Sequence, residues 1–218
     1  MASDVDISNL ALSHLGERAE VIAISPPDGS AEAQQCGRFY PMARDEMLEI
    51  HPWTFAMKRV PMAAIANDRP AWVYAYQVPA DCLKPRAVLA EQAFDDAESE
   101  DFVVETNASG TKVIYTNCPT ATLRYTRAIT DTTRFTPMFV AALGRLLASK
   151  LAGPIIKGEA GIQVAVGHMK IFTVELATAK ADDSNTGSRA NQFRDFIPSG
   201  MRARGAAARC DRFGRGGY

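Results

Sequence analysis

The sequence lacks closely spaced metal ligands. Its four cysteines, Cys36, Cys82, Cys118 and Cys210, lie 36 to 92 residues apart with no C-x-x-C pair. Structural zinc draws on ligands a few residues apart, so this spacing speaks against a metal centre. An even count permits two disulfides. The N-terminus, however, carries Asp4 and Asp6 where a secretory signal has a basic segment and an apolar run, so free thiols are expected. Histidine is sparse as well. His14, His51 and His168 have no second His or Cys three or four residues on, and a lone helical histidine is more often a partly buried polar residue than a ligand. There is no G-x-S-x-G, Walker A, H-E-x-x-H or G-x-G-x-x-G motif. The glycines at 214, 216 and 217 have no strand before them and no helix after, as a phosphate cradle requires. Apolar runs stay far short of the roughly 18–20 residues of a membrane span, so no membrane partner is expected. A net charge of −1 excludes a chain that coats nucleic acid along its whole length.

What is present is ordinary in bulk and uneven in distribution. A chain of 218 residues with 47% apolar content can bury a sizeable core without disulfides or metal. Residues 184–218 hold seven arginines against two acids, a net charge of +5. Residues 1–183 hold 17 basic against 23 acidic residues, a net charge of −6. An acidic body with a basic tail suggests an interaction arm.

Apolar period divides the chain. Ile7, Leu10, Ala11 and Leu15 share one helical face, with Ser3 and Asp6 set as a capping box and Gly16 as the stop. A turn follows at Pro26, Pro27, Asp28 and Gly29. Ser30 caps a second helix through Ala33, Cys36, Tyr40, Ala43, Met47 and Ile50, kinked at Pro41 and ended by His51-Pro52. The period then shortens to two. Trp53, Phe55 and Met57 alternate, as do Trp72, Tyr74, Tyr76 and Val78, and residues 83–89, 102–106, 113–116 and 122–129 also read as strands. Asn107 to Gly110 marks a hairpin turn, and residues 91–101 form a solvated acidic loop. Helical period returns at Phe139, Leu143, Leu146, Leu147 and Leu151, ending near Gly153-Pro154. A last helix over about residues 159–182 aligns Ile162, Val166, Met169, Phe172 and Leu176. The predicted fold is α+β: a bundle of about four helices with a β-rich antiparallel insertion between the second and third, plus an extended C-terminal tail. Its parts are residues 1–52, 53–130, 131–183 and 184–218.

The most informative segment runs from Tyr40 and Pro41 through Arg44 and Asp45 to His51, Pro52, Trp53 and Phe55. Arg44 and Asp45 can form ion pairs between elements or subunits. Trp53 and Phe55 fall on one face of a first strand and can join bundle to sheet. Asp45 and Glu49 share a helix face, but like charges four apart on an exposed helix simply repel. The segment therefore reads as a hinge and core anchor, not a catalytic site.

In this place, the segment resembles the head–tail adaptor (tail tubular protein A) family of short-tailed bacteriophages. The opening from Asn9 to Gly16, the stretch from Tyr74 to Leu83 with its Y-x-Y-x-V-P-x-D-C-L spacing, Leu123 to Thr126, Asp131 to Phe135 and Leu147 to Ala152 extend the likeness over about residues 5–183. No single piece is specific, whereas their order and spacing together are. The resemblance implies a non-enzymatic virion protein, made in the host cytoplasm and placed at the head–tail interface. It implies a ring of identical subunits, typically twelve, docked on the portal protein, presenting its far side to the tail nozzle and passing viral DNA through its lumen without sequence-specific binding. It implies no cofactor and no metal. Related adaptors grip the portal with a C-terminal extension. Here the corresponding arm offers Arg189, Arg194, Arg202, Arg204 and Arg209 to steer, with Phe193, Phe196, Phe213 and Tyr218 to anchor. The alternative is a nucleic-acid-binding phage protein acting through the same arm, since interleaved arginines and aromatics can neutralise phosphates and stack on bases.

Overall fold

The computed structural model describes residues 2–18, 20–91 and 99–186. The chain divides into two units, residues 1–183 and 184–218. The first unit is α+β, as its two periods predict.

Helix α1 (Asp4–His14) starts on the capping box, with Ser3 Oγ accepting from the Asp6 amide and the Asp6 carboxylate accepting from the Ser3 amide. Helix α2 (Ala31–Ile50) starts on Ser30 and runs through Pro41 without stopping. Helix α3 (Pro137–Ile156) starts on Thr136, with proline at the first turn where its missing N–H costs nothing. It continues past Gly153-Pro154, because a proline in the last turn forfeits only one ladder bond. By length and hydropathy α3 could cross a membrane, against the sequence expectation, yet half of its apolar window is buried inside the bundle. Both α1 and α2 pack on α3, and Ile7, Leu12, Met47, Leu48, Phe139, Leu146 and Leu147 form the centre of the helical core.

The turn after α3 places Lys157 at φ 60° and Gly158 at φ 64°. Glycine adopts this region freely and lysine does not, so the reversal concentrates its strain on Lys157. Helix α4 (Gly158–Thr186) then runs four residues beyond its predicted end. Its buried positions are Gly161, His168, Phe172, Ala179 and Asp183. The predicted apolar stripe is thus corrected. Phe172 is buried and Leu176 partly so, but Ile162, Val166 and Met169 are 62%, 47% and 41% exposed.

Between α2 and α3 lie eight strands among the described residues, more than the five or six predicted. Strands β1 (Met57–Pro61), β8 (Ala121–Arg127), β4 (Cys82–Ala90) and β5 (Ser99–Glu100) form one antiparallel sheet in that order. Strands β2 (Ala64–Ile65), β3 (Tyr74–Gln77), β7 (Lys112–Thr116) and β6 (Phe102–Thr106) form the other. The predicted acidic loop therefore gives up Ser99 and Glu100, which pair with Leu89 and Val88. Alternation puts Tyr76 and Ile114 of one sheet against Val88, Leu123 and Tyr125 of the other, making a second core between them. Ala75, Val113 and Tyr115 on the opposite face collect Ile65 and Trp72 into a third, smaller cluster. The hairpin joining β6 to β7 is the one predicted. Asn107 Oδ1 accepts from the Ser109 and Thr111 amides, and Gly110 takes φ 78°.

Candidate functional site

Residues 40–56 form the joint between helices and sheets, and three remote partners hold it. The last four carbonyls of a helix lack partners inside it. At the end of α2, Trp53 Nε1 donates to the Met47 carbonyl at 2.7 Å. Arg86 Nη2 and Lys84 Nζ donate to the Glu49 carbonyl at 2.9 and 3.3 Å. Arg86 is free to do this because the register of β4 against β8 shifts between Pro85 and Ala87. The bulge turns the intervening residue toward the helix end, and Arg86 Nε also donates to Thr126 Oγ1.

The third partner comes from α4. Asp183 is 4% exposed, and its carboxylate accepts from the Thr54 amide at 3.0 and 3.2 Å, the Thr54 hydroxyl at 2.7 Å and His51 Nε2 at 3.2 Å. Those bonds cap a short 3-10 turn, Thr54–Ala56. This corrects the expectation that Trp53 and Phe55 sit on one face of a strand. The strand begins at Met57, and the capped turn swings both rings back into the helical core. Trp53 lies edge-on to Phe139 at 5.0 Å and to His51 at 4.9 Å, and Phe55 meets Phe139 at 5.1 Å and Phe135 at 5.8 Å. Burial, with Lys180 and Arg86 adding to it, lowers the His51 pKa more than Asp183 raises it. The 3.2 Å contact, which has ion-pair spacing, is therefore a hydrogen bond from a neutral ring at neutral pH.

The remaining motif residues divide between core and surface. Tyr40 is buried in the helical core, where burial pushes its hydroxyl pKa up to about 12. Pro41 is exposed. Arg44 and Asp45 pair with each other at 2.8 Å along the helix, and the bond between elements is instead Glu46 with Lys150 of α3 at 2.7 Å. Asp81, in the second matched segment, accepts from Lys58 Nζ at 2.8 Å and Tyr125 Oη at 2.6 Å. Burial works to raise its pKa, and these two donors overcome that and hold it below the usual value. The bond ties the turn before β4 to β1 and β8.

Sequence reasoning missed Asp183, Arg86 and the meeting of His14 with His168. The two rings lie 6.2 Å apart between α1 and α4, near the Arg145–Glu175 ion pair of 3.1 Å. Burial is the main cause lowering both histidine pKa values, and Arg145 adds to it. Only the aspartate's position on the buried face of α4 could have signalled its role.

The arrangement positions and stiffens. Burial pushes the Cys36 and Cys82 thiols up to about 11, so neither supplies a thiolate at neutral pH. Among the described residues no three His, Cys, Asp or Glu side chains are placed to hold a metal ion. Arg189, Phe193, Arg194, Phe196, Arg202, Arg204, Arg209, Phe213 and Tyr218 lie outside the described residues. The chain matches no protein-family model, and no curated protein matches it.

Proposed function

We propose that the protein is a virion structural component, the ring-forming adaptor that joins the portal of a short-tailed phage to its tail nozzle and extends the DNA channel. The observation that carries the reading is the role of residues 40–56. The segment on which the family resemblance chiefly rests is spent on a stiff joint, with Trp53 inside the helical core and Asp183 fixing the turn into β1. A component that must transmit load between two larger assemblies needs such a joint between its parts.

In this reading about twelve copies close through heterologous contacts, each subunit offering one surface to the next and a different one behind. DNA passes through the lumen without sequence-specific contact. The arm over residues 184–218 grips the portal, its arginines pairing with carboxylates and its aromatics entering pockets. No cofactor, metal or turnover is involved.

The test is co-sedimentation with the portal ring encoded by the same genome, comparing the full chain with a chain ending at Thr186, where α4 ends. Full-length protein is expected to pellet with the portal at ring stoichiometry, and the shortened chain to stay in the supernatant. Equal binding of both would sink the arm as clamp. A full-length chain that ignores the portal but retains DNA through the arm would replace the adaptor reading with the nucleic-acid one.

A further inference from the structure

We infer that the outer face of α4 is a docking surface for α4 of a second copy of this chain, the two helices running antiparallel about a two-fold axis between Met169 and Lys170. The inward face of the helix is fixed by His168, Phe172, Ala179 and Asp183. On the outward side, Ile162, Val166, Met169, Thr173 and Ala177 are all exposed. Their spacings of four, three, four and four residues confine them to an arc of about 80° at 100° per residue. That is the stripe a partner helix covers; two other exposed apolar residues of α4, Ile171 and Val174, lie outside it.

Charge selects both the occupant and its direction. Glu159 and Lys180 fall within the same arc at the two ends of the stripe. Turned end for end about the stated axis, Ile162 meets Ala177, Val166 meets Thr173 and Glu159 meets Lys180. Ile162 and Val166 thus find uncharged partners, and both terminal charges find their opposites. A parallel pair would instead set Glu159 against Glu159 and Lys180 against Lys180. Lys170, about 20° beyond the edge of the arc, falls opposite Met169, where its methylenes cover the thioether and its ammonium reaches water.

The pairing is independent of the adaptor reading. A two-fold contact uses the same face on both copies and cannot by itself propagate into a ring, so it describes the free protein before any ring forms. One helix pair buries area at the low end of specific interfaces, below about 1,200 Å² in total, so the association is concentration-dependent.

The test is sedimentation velocity on the full chain from about 1 to 100 μM, a range that brackets a modest interface of this kind. A monomer–dimer equilibrium is expected. Val166→Glu, at a half-exposed position that leaves the bundle core untouched, should weaken it more than tenfold. Glu159→Lys and Lys180→Glu should each weaken it several-fold, and the double exchange should restore it. That rescue is something a folding defect would not produce. A monomer throughout the range overturns the inference. So does a dimer or larger assembly that Val166→Glu leaves unchanged, or a double exchange that fails to recover.

Discussion

Replacing Asp183 by alanine removes the side chain through which α4 bonds Thr54 and His51. The carboxylate accepts from the Thr54 amide, the Thr54 hydroxyl and the His51 ring, and it is 4% exposed, so water cannot readily replace it. Hydrogen bonds to a charged group contribute roughly 1.5–3 kcal/mol each, and a buried donor left unpaired costs about 1–3 kcal/mol. Donors that share one acceptor are not additive, so the expected loss is about 3 kcal/mol. For a domain of this size, that lowers Tm by about 6–12 °C. Asp183→Asn keeps one oxygen for Thr54 and should lose about 1–2 kcal/mol. Urea and thermal unfolding followed by tryptophan fluorescence and by circular dichroism measure both, and hydrogen exchange at residues 54–56 should accelerate in the alanine variant before the helices respond. If Asp183→Ala shifts Tm by less than about 2 °C, the carboxylate is not what holds the joint.

Stability should fall on acidification below about pH 6.5. His14, His51 and His168 are each held below the ordinary histidine value of 6.5, chiefly by burial. The unfolded chain therefore binds protons that the native state resists, and stability is lost as pH falls through 6.5 toward the depressed native values. Urea midpoints at several pH values read this, and a flat profile down to pH 5 would contradict it. Trp53→Phe keeps most of the ring but leaves the Met47 carbonyl without its 2.7 Å donor, so a loss of about 1–3 kcal/mol is expected in urea unfolding followed by circular dichroism. Gly37→Ala should cost about 1–3 kcal/mol by overpacking. A Cβ there would stand 2.8 Å from the Ile24 backbone oxygen, which cannot move as a side-chain tip would. An unchanged Tm would show that the 21–28 segment yields.

Local chemistry was legible in the sequence, and tertiary partnership was not. Ser3 with Asp6, Ser30, and the Asn107–Gly110 turn act within a few residues of themselves, and each is where the sequence puts it. The two periods marked helices and strands for the same reason. The facing of α4 went astray because its apolar residues occupy more than one side. The choice of inward face was made by Gly161, whose missing side chain admits the Ala152 carbonyl, and by His168 and Asp183. Polar residues at such positions find partners more than a hundred residues away, as Asp183 does at Thr54, and no periodicity shows it. Trp53 and Phe55 were read as core anchors, and they are. Their strand was misplaced because the bond that makes the turn comes from the far end of the chain. Arg86 needed a bulge to reach α2, and its local sign, a proline at 85 that cannot donate to the ladder, went unread.

The β-rich part leaves the helices through β1 and returns through β8, and those two strands are hydrogen-bonded neighbours with Met57 facing Thr126. Once that pair has zipped, the helical core experiences a tether a few residues long, whatever the length of chain beyond it. Loop-closure entropy grows with the segment that remains free, and here the free segment is sealed off at its neck. Lengthening or trimming the outer hairpins would therefore leave the helices energetically indifferent. The sheets can vary at a tip such as residues 107–110, while the helices keep one unchanging frame.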